Sequence, residues 1–340
     1  MSREQRFYSI IIPLYNRPRE ITDLLDSLTG QLYPHFEVIV VDDGSVPQAG
    51  GVVNAFAGKL DLHYIYQENR GQGFARNHGF QQAKGDYFVV FDSDCLIPED
   101  YLLQVERALE NQWLDAYGGP DMAHASFTNL QKAISYAMTS PLSTGGIRGN
   151  KKHLGTFHPR SFNMGISRET WEKTGGFYWT NQSEDMELSV RMQRMGLRVG
   201  LIADAGVYHK RRVSLRQFFN QTFSFGQGRI RLFRHFGNEL KAVHCLPAIF
   251  TLGLAGLLVL FIGFLFVPEF NPIFPIISNV LGAGIILYST YFLFLFLHAL
   301  VSNRNLPVAV LSVLTVLVQF VAYGSGFLKN LIYNSSSSSS

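Results

Sequence analysis

Apolar positions follow two rhythms along this chain. Up to about residue 240 they come as short runs separated by segments of helix length; beyond it they are almost continuous. In the first part, Phe7 to Pro13 predicts a buried strand, and Arg19 to Gln31 predicts a helix with Ile21, Leu24, Leu25 and Leu28 on one face. Phe36 to Val41 reads as a second strand and Tyr64 to Gln67 as a third, followed by a turn at Gly71 and a helix from Phe74 to Ala83. Tyr87 to Phe91 is a further strand. Strands alternating with helices predict an α/β domain with a parallel sheet, and such sheets collect ligands beyond the carboxyl ends of their strands.

The second part predicts membrane helices. Cys245 to Val267 is 23 residues without a formal charge. As a helix that is about 34 Å, enough to cross a hydrocarbon core of about 30 Å. Asn271 to Asn303 is a longer uncharged run broken early by Pro272 and Pro275, so its expected span is residues 276–300. A third span is expected over residues 306–328, which carry Gln319 and Gly324 to Gly326. Lys and Arg crowd the flank before the first span, the connection Pro268 to Pro272 has none, and Arg304 follows the second. That asymmetry predicts a multi-pass protein of the inner (plasma) membrane with its N-terminal domain in the cytoplasm, against which Lys329 counts weakly. The run Tyr8 to Tyr15 is short and holds Pro13, so it is not expected to be a secretory signal.

Composition agrees with this division. Charged residues make up 16% of the chain and hydrophobic ones 47%, where a soluble domain carries about 25% charged. A fully soluble enzyme, a disordered chain and a collagen-like repeat are thereby excluded. Cys95 and Cys245 alone cannot form a disulfide framework or a Cys-rich zinc site. Lys210 to Arg234 contains seven basic residues and no acidic one, after a body that is net acidic. Such a stretch is either a solvated face or a surface for anionic lipid or an anionic ligand; nucleic acid is not an expected partner. The expected organisation is a domain over 1–212, a basic amphipathic interfacial segment over 213–241, a membrane domain over 242–333 and a disordered serine tail over 334–340.

Candidate chemistry gathers at the predicted strand ends. These carry Asn16-Arg17, Asp42-Asp43-Gly44-Ser45, Glu68-Asn69-Arg70-Gly71 and Asp92-Ser93-Asp94. Any one of them has the composition of an ordinary turn. Asp92 and Asp94 are two apart, so on a continuing strand they share a face. Carboxylates so placed repel unless a cation lies between them, and hard oxygen ligands that leave room for phosphates suit Mg²⁺ or Mn²⁺.

As a set, Tyr8-Ser-Ile-Ile-Ile-Pro-Leu-Tyr-Asn-Arg17, Val41-Asp-Asp-Gly-Ser45, Asn69-Arg-Gly-Gln-Gly-Phe-Ala-Arg-Asn77 and Phe91-Asp-Ser-Asp94 resemble the family 2 glycosyltransferases. The resemblance covers about residues 5–240. It implies a GT-A nucleotide-diphospho-sugar transferase fold, a mixed and mainly parallel sheet with flanking helices, ahead of the C-terminal transmembrane helices. It also implies an inverting transferase that uses a nucleotide-diphosphate sugar, UDP-linked by preference or GDP-linked. By the same likeness Pro13, Tyr15, Arg17 and Asp42 hold the nucleoside, with Asp43 shared, and Asn69, Gly71, Arg76, Asp92 and Ser93 complete the donor set. Asp92 and Asp94 match the family's D-x-D motif, with Asp94 the direct metal ligand and His209 a further metal or phosphate ligand; a lone His is also commonly structural.

Glu184-Asp185 matches the family's Glu-Asp motif, whose second carboxylate is the catalytic base for the acceptor hydroxyl. Acidic residues also favour any first helical turn, but the Glu or Gln that a capping box would place at Met186 is missing. Asn163, Met164, Gly165 and Gly176 fall in segments that resemble the border of the acceptor site. Trp171, Phe177, Tyr178 and Trp179 serve either sugar stacking or the core. Leu215 to Phe236 is expected to be an amphipathic helix at the membrane interface. The Gln-x-x-Arg-Trp of processive relatives such as cellulose and hyaluronan synthases is absent. The expected acceptor is therefore a polyprenyl-linked saccharide in polysaccharide or glycoconjugate assembly, the alternatives being polyprenyl phosphate or a non-catalytic membrane scaffold. Neither G-x-G-x-x-G after the first strand nor a Walker pattern is present, which argues against a dehydrogenase or a P-loop enzyme.

Overall fold

The computed structural model describes residues 5–122, 124, 127–144 and 157–333. The expected serine tail, residues 334–340, lies outside them. The chain forms two compact units, one from residues 1–126 and 145–210, the other from residues 127–144 and 211–340. In chain order the first unit holds β1 (Tyr8–Leu14), α1 (Pro18–Leu28), β2 (Phe36–Asp43), α2 (Gly50–Asn54), β3 (Leu62–Gln67), α3 (Gln72–Gln82), β4 (Tyr87–Phe91), β5 (Cys95–Leu96), α4 (Tyr101–Asn111), β6 (Ala116–Gly118) and β7 (Asp121–Met122). The helices α5 (Asn129–Thr139) and α6 (Pro141–Thr144) belong to the second unit. The first then resumes with β8 (Asn163–Ser167), α7 (Arg168–Thr174), α8 (Glu184–Arg194), β9 (Val199–Leu201) and β10 (Val207–His209).

A seven-stranded sheet in the order β3-β2-β1-β4-β8-β6-β9 forms the centre of this unit. β1 runs parallel to both β2 and β4, and β2 parallel to β3. β8 enters antiparallel beside β4, so the sheet is mixed. Alternation along β1 sends Ile10 and Ile12 to a core shared with α1 and α4, and Ile11 to a core on the other face shared with α3 and α8. Because four strands are parallel, the residues following Leu14, Asp43, Gln67 and Phe91 emerge along one edge. The pairing of Phe91 with Asn163 brings the segment before β8 to that edge. A small second sheet, β5-β10-β7, sets His209 opposite Cys95.

The second unit adds α9 (Leu215–Phe236), α10 (Ala242–Phe264), α11 (Phe274–Asn303) and α12 (Leu306–Ile332) to α5 and α6. The last three are long and apolar enough to cross a membrane. They display Ile249, Leu252, Val259, Ile286 and Val301 on exposed faces, a surface that water does not tolerate at this extent and lipid does. Residues 127–144 fall inside the segment expected to form one domain, yet they pack here. Thr315 donates to the Ala133 carbonyl, and Tyr136 hydrogen-bonds His298 at 2.8 Å. The stretch expected as an amphipathic helix is α9. It is pressed against α12, where a Cβ on Gly226 would collide with the Tyr323 carbonyl oxygen, and one on Gly326 with that of Phe223.

Candidate active site

At the carboxyl edge of β2, two adjacent carboxylates do different work. Asp42 is buried and accepts from the amides of Ser45 and Ala49 at 2.9 Å each and from the Tyr64 hydroxyl at 2.6 Å. Burial pushes its carboxyl up, but these donors, Ala49 first, outweigh that and hold it below the usual range. Asp43 turns the other way and accepts from the Arg70 and Gly71 amides at 2.9 and 2.8 Å and from the Gln67 side chain at 2.7 Å. It thereby fixes the turn after β3, while Asn69 donates to the Asp43 carbonyl. Gly71 sits at φ 91° with Thr180 and Asn181 close above its α-carbon, so this turn admits only glycine without strain. After β1, Pro13 is buried and Tyr15 half exposed, and the Asn16 amide donates to Ser45 at 2.8 Å. The expected donor-binding residues of the first three strand ends are thus laced into neighbouring turns.

The fourth strand end is the centre of the charge. Asp94 is buried and paired with Arg17 and, at 3.1 Å, with His209 Nε2. Burial works against its charge, yet His209 and Arg17 hold it well below the usual carboxylate range. His209 stacks on Phe162 and lies between Asp94 and Asp121. Burial lowers its pKa, but the two carboxylates carry it up to about 9. Donor atoms of Asp94, Cys95 and His209 lie within 4.8 Å of one another. An oxygen and an imidazole nitrogen held together in this way fit a divalent cation, which would take over the charge that Arg17 and protonated His209 now balance. Asp92 is not in this group. It turns instead to Arg76, at 2.8 Å.

Arg76, on α3, is fully buried and bridges Asp92 to Glu184 Oε1 at 3.0 Å, over the face of Phe177. Gln72 donates to the same Glu184 oxygen at 2.6 Å. Burial, then the charge of Asp185, raise the Glu184 carboxyl to about 7 against the opposing pull of Arg76. Asp185 is half-buried beside it, with Arg160 at 3.7 Å, and accepts from the amide of Met186. Ser183 precedes α8 at φ 63° and its side chain caps nothing. Two polar clusters result, Arg17–Asp94–His209 and Asp92–Arg76–Glu184 with Asp185 next in the chain, and the short Asp92-Ser93-Asp94 turn connects them.

The expected acceptor-region residues are mostly buried. Asn163, Met164 and Gly165 are buried in β8, where Asn163 accepts from Tyr101 at 2.5 Å and donates to the Ala205 carbonyl at 2.8 Å. Gly176 supplies a carbonyl to Arg191. Arg160, one residue group earlier, is the part of that motif that reaches a catalytic candidate. Gln72, Asp121 and Phe162 are additions that spacing did not single out, since their partners lie far off in sequence.

Residues 9–175 match the sequence model of the family described as Glycosyl transferase family 2. Over 234 residues the chain is 26% identical to the succinoglycan biosynthesis protein ExoA of Rhizobium meliloti, covering 66% of this chain and 69% of that one. Over 96 residues it is 38% identical to glycosyltransferase GlyA of Streptococcus pneumoniae, covering 28% of this chain. Of the first three curated relatives that it matches, it spans only 14%, 38% and 19% of their lengths. A solved mannosyltransferase, PcManGT from Pyrobaculum calidifontis in complex with GDP-Man and Mn²⁺, is similar with a TM-score of 0.58 at 20% identity, covering 97% of this chain and 88% of that one. At such identity the likeness shows the fold alone.

Proposed function

We propose that this chain, a family 2 glycosyltransferase through its residues 9–175, transfers one sugar from a nucleotide-diphosphate donor to a lipid-carried saccharide, with inversion, at the cytoplasmic face of a membrane. The observation that carries the reading is that the Asp92-Ser93-Asp94 turn bears both the Asp94–His209 pair and, through Asp92 and Arg76, the ion pair to Glu184 beside Asp185. It supplies both requirements of the reaction from one edge of the sheet: a place for the diphosphate's countercharge and a carboxylate for the acceptor's proton.

Asp94 and His209 would hold Mn²⁺ or Mg²⁺, whose part when bound is to neutralise the departing diphosphate. PcManGT, of the same fold, was solved with GDP-Man and Mn²⁺, which supports a divalent cation. The strand-end turns braced by Asp42 and Asp43 frame the nucleoside, with Tyr15 exposed beside them. Asp185 removes the acceptor hydroxyl proton. It is the least buried of the three α8 carboxylates, whereas Glu184 is held by Arg76 and Gln72, and Glu187 by Arg191. The apolar helices α10 to α12 and the basic stretch ahead of them support a lipid-borne acceptor, and the likeness to ExoA supports a role in polysaccharide assembly. Transfer to a bare polyprenyl phosphate is the second reading, favoured by the run of cations from Lys210 to Arg234.

Membranes containing the chain, offered labelled UDP- and GDP-sugars with and without Mn²⁺, test this. The reading requires label in the organic extract with one donor, dependent on the cation. Cation-independent labelling, or none with any donor, contradicts it.

A further inference from the structure

The residues used so far lie beyond the carboxyl ends of the parallel strands. At the opposite end of the same sheet, Glu37 is the second residue of β2, His63 the second of β3, and Asp61 immediately precedes β3. The register sets Val38 against Leu62 and Ile39 against His63, so alternation turns Glu37, Asp61 and His63 to one face. From Glu37 to Asp43 is six residues of strand, about 20 Å, which separates this cluster from the donor edge.

Glu37 is completely buried. Its Oε1 is accounted for, accepting from Ser9 and from the Lys84 amide at 2.6 Å each. Its Oε2 is buried and accepts no hydrogen bond, and His63 Nε2, which faces it at 3.4 Å, makes none either. The same nitrogen lies 3.3 Å from Asp61 Oδ1. The other charge nearby is Lys84, whose Nζ is 3.9 Å from Oε2 on an exposed side chain that is free to swing away. A buried carboxylate oxygen left without a donor is costly. The spacing explains it. Ligands bound at about 2.0–2.2 Å to a tetrahedral ion stand about 3.3–3.6 Å apart, and the separations of His63 Nε2 from Glu37 and Asp61, 3.4 and 3.3 Å, lie in that interval.

We propose that Glu37, Asp61 and His63 form a zinc site, separate from the donor cleft, that ties the edge strand β3 to β2. All three donor atoms lie within 4.8 Å of one another. One neutral imidazole and two carboxylates balance the dication and leave the fourth position to water. An imidazole nitrogen with two carboxylates suits zinc better than the all-oxygen preference of calcium.

The test uses the full-length, tag-free protein in detergent, stripped with chelator and then dialysed against Zn²⁺ or Co²⁺. Wild type is expected to retain about one more equivalent of zinc than His63→Gln, and its cobalt form to show intense tetrahedral ligand-field bands that the variant lacks. Asp61→Asn, at an exposed position, is expected to weaken zinc binding at least tenfold with the fold intact by circular dichroism. Asp94→Ala leaves unchanged the equivalent of zinc that His63→Gln removes, and His63→Gln keeps sugar transfer, which separates this site from the donor cleft. Equal zinc content and equal cobalt spectra in wild type, His63→Gln and Asp61→Asn overturn the proposal and leave His63 between the two carboxylates without a metal.

Discussion

Arg76 shows how much one side chain can organise. A guanidinium with no access to water is tolerable only because Asp92 and Glu184 share its charge and Phe177 covers its face. Its role is to position: it fastens the start of α8, through Glu184, to the Asp92-Ser93-Asp94 turn. Removing it strands two carboxylates. Arg76→Ala is therefore expected to lower stability by about 3–5 kcal/mol, read from thermal unfolding in detergent. Lysine, with a single ammonium, cannot span both partners and should rescue little. Glu184 makes a separate prediction. Its carboxyl is raised from 4.5 to about 7 in the folded state, chiefly by burial and then by Asp185. A raised carboxyl favours folding in its protonated form, so its contribution is full below about pH 4.5 and is lost as pH rises through about 7. Glu184→Gln should flatten that decline, and a melting temperature that falls as steeply over this interval in the variant as in wild type would contradict the assignment.

Among the elements, those that bear the site were the most legible. Each short apolar run in the first part of the chain is a strand, and each polar cluster after it emerges on the same edge, because parallel strands leave their ends together. Other features were hidden because they depend on partners far away in sequence. Asn163 and Met164 fall in a motif that reads as an acceptor border, but β8 runs antiparallel beside β4 and buries them. Residues 129–139 have the pattern of any amphipathic helix, and nothing local reveals that α12 is their cover. The same holds for α9, whose aromatic and basic residues suggest an interfacial helix, while its Gly226 faces the Tyr323 carbonyl of α12 and Gly326 of α12 faces the Phe223 carbonyl of α9. Small residues allow such helices to approach closely. Gly326→Leu should then cost about 1–3 kcal/mol through overpacking. Gly256→Leu, where a Cβ meets nothing within 4 Å, should cost little, and the two melting temperatures in detergent provide the comparison.

Across the whole molecule, the candidate site and the long apolar helices are divided between two units. One is an α/β domain of transferase fold with its carboxylates on one edge; the other is a group of helices three of which can cross a membrane. The sequence announced this division through charge alone, since Glu269, Arg304 and Lys329 are the only formal charges after Lys241. Its boundary was less legible, because residues 127–144 leave the first unit to join the second. The measurement that bears most directly on the account is donor binding and sugar transfer in Asp185→Asn, in the same membranes as wild type. Loss of a positioned general base should slow transfer by about 10²–10⁴-fold, while the nucleotide sugar binds as before, since Asp94, His209 and the strand-end turns are untouched. Transfer at the wild-type rate would show that Asp185 takes no proton, and the catalytic reading of α8 would fall with it.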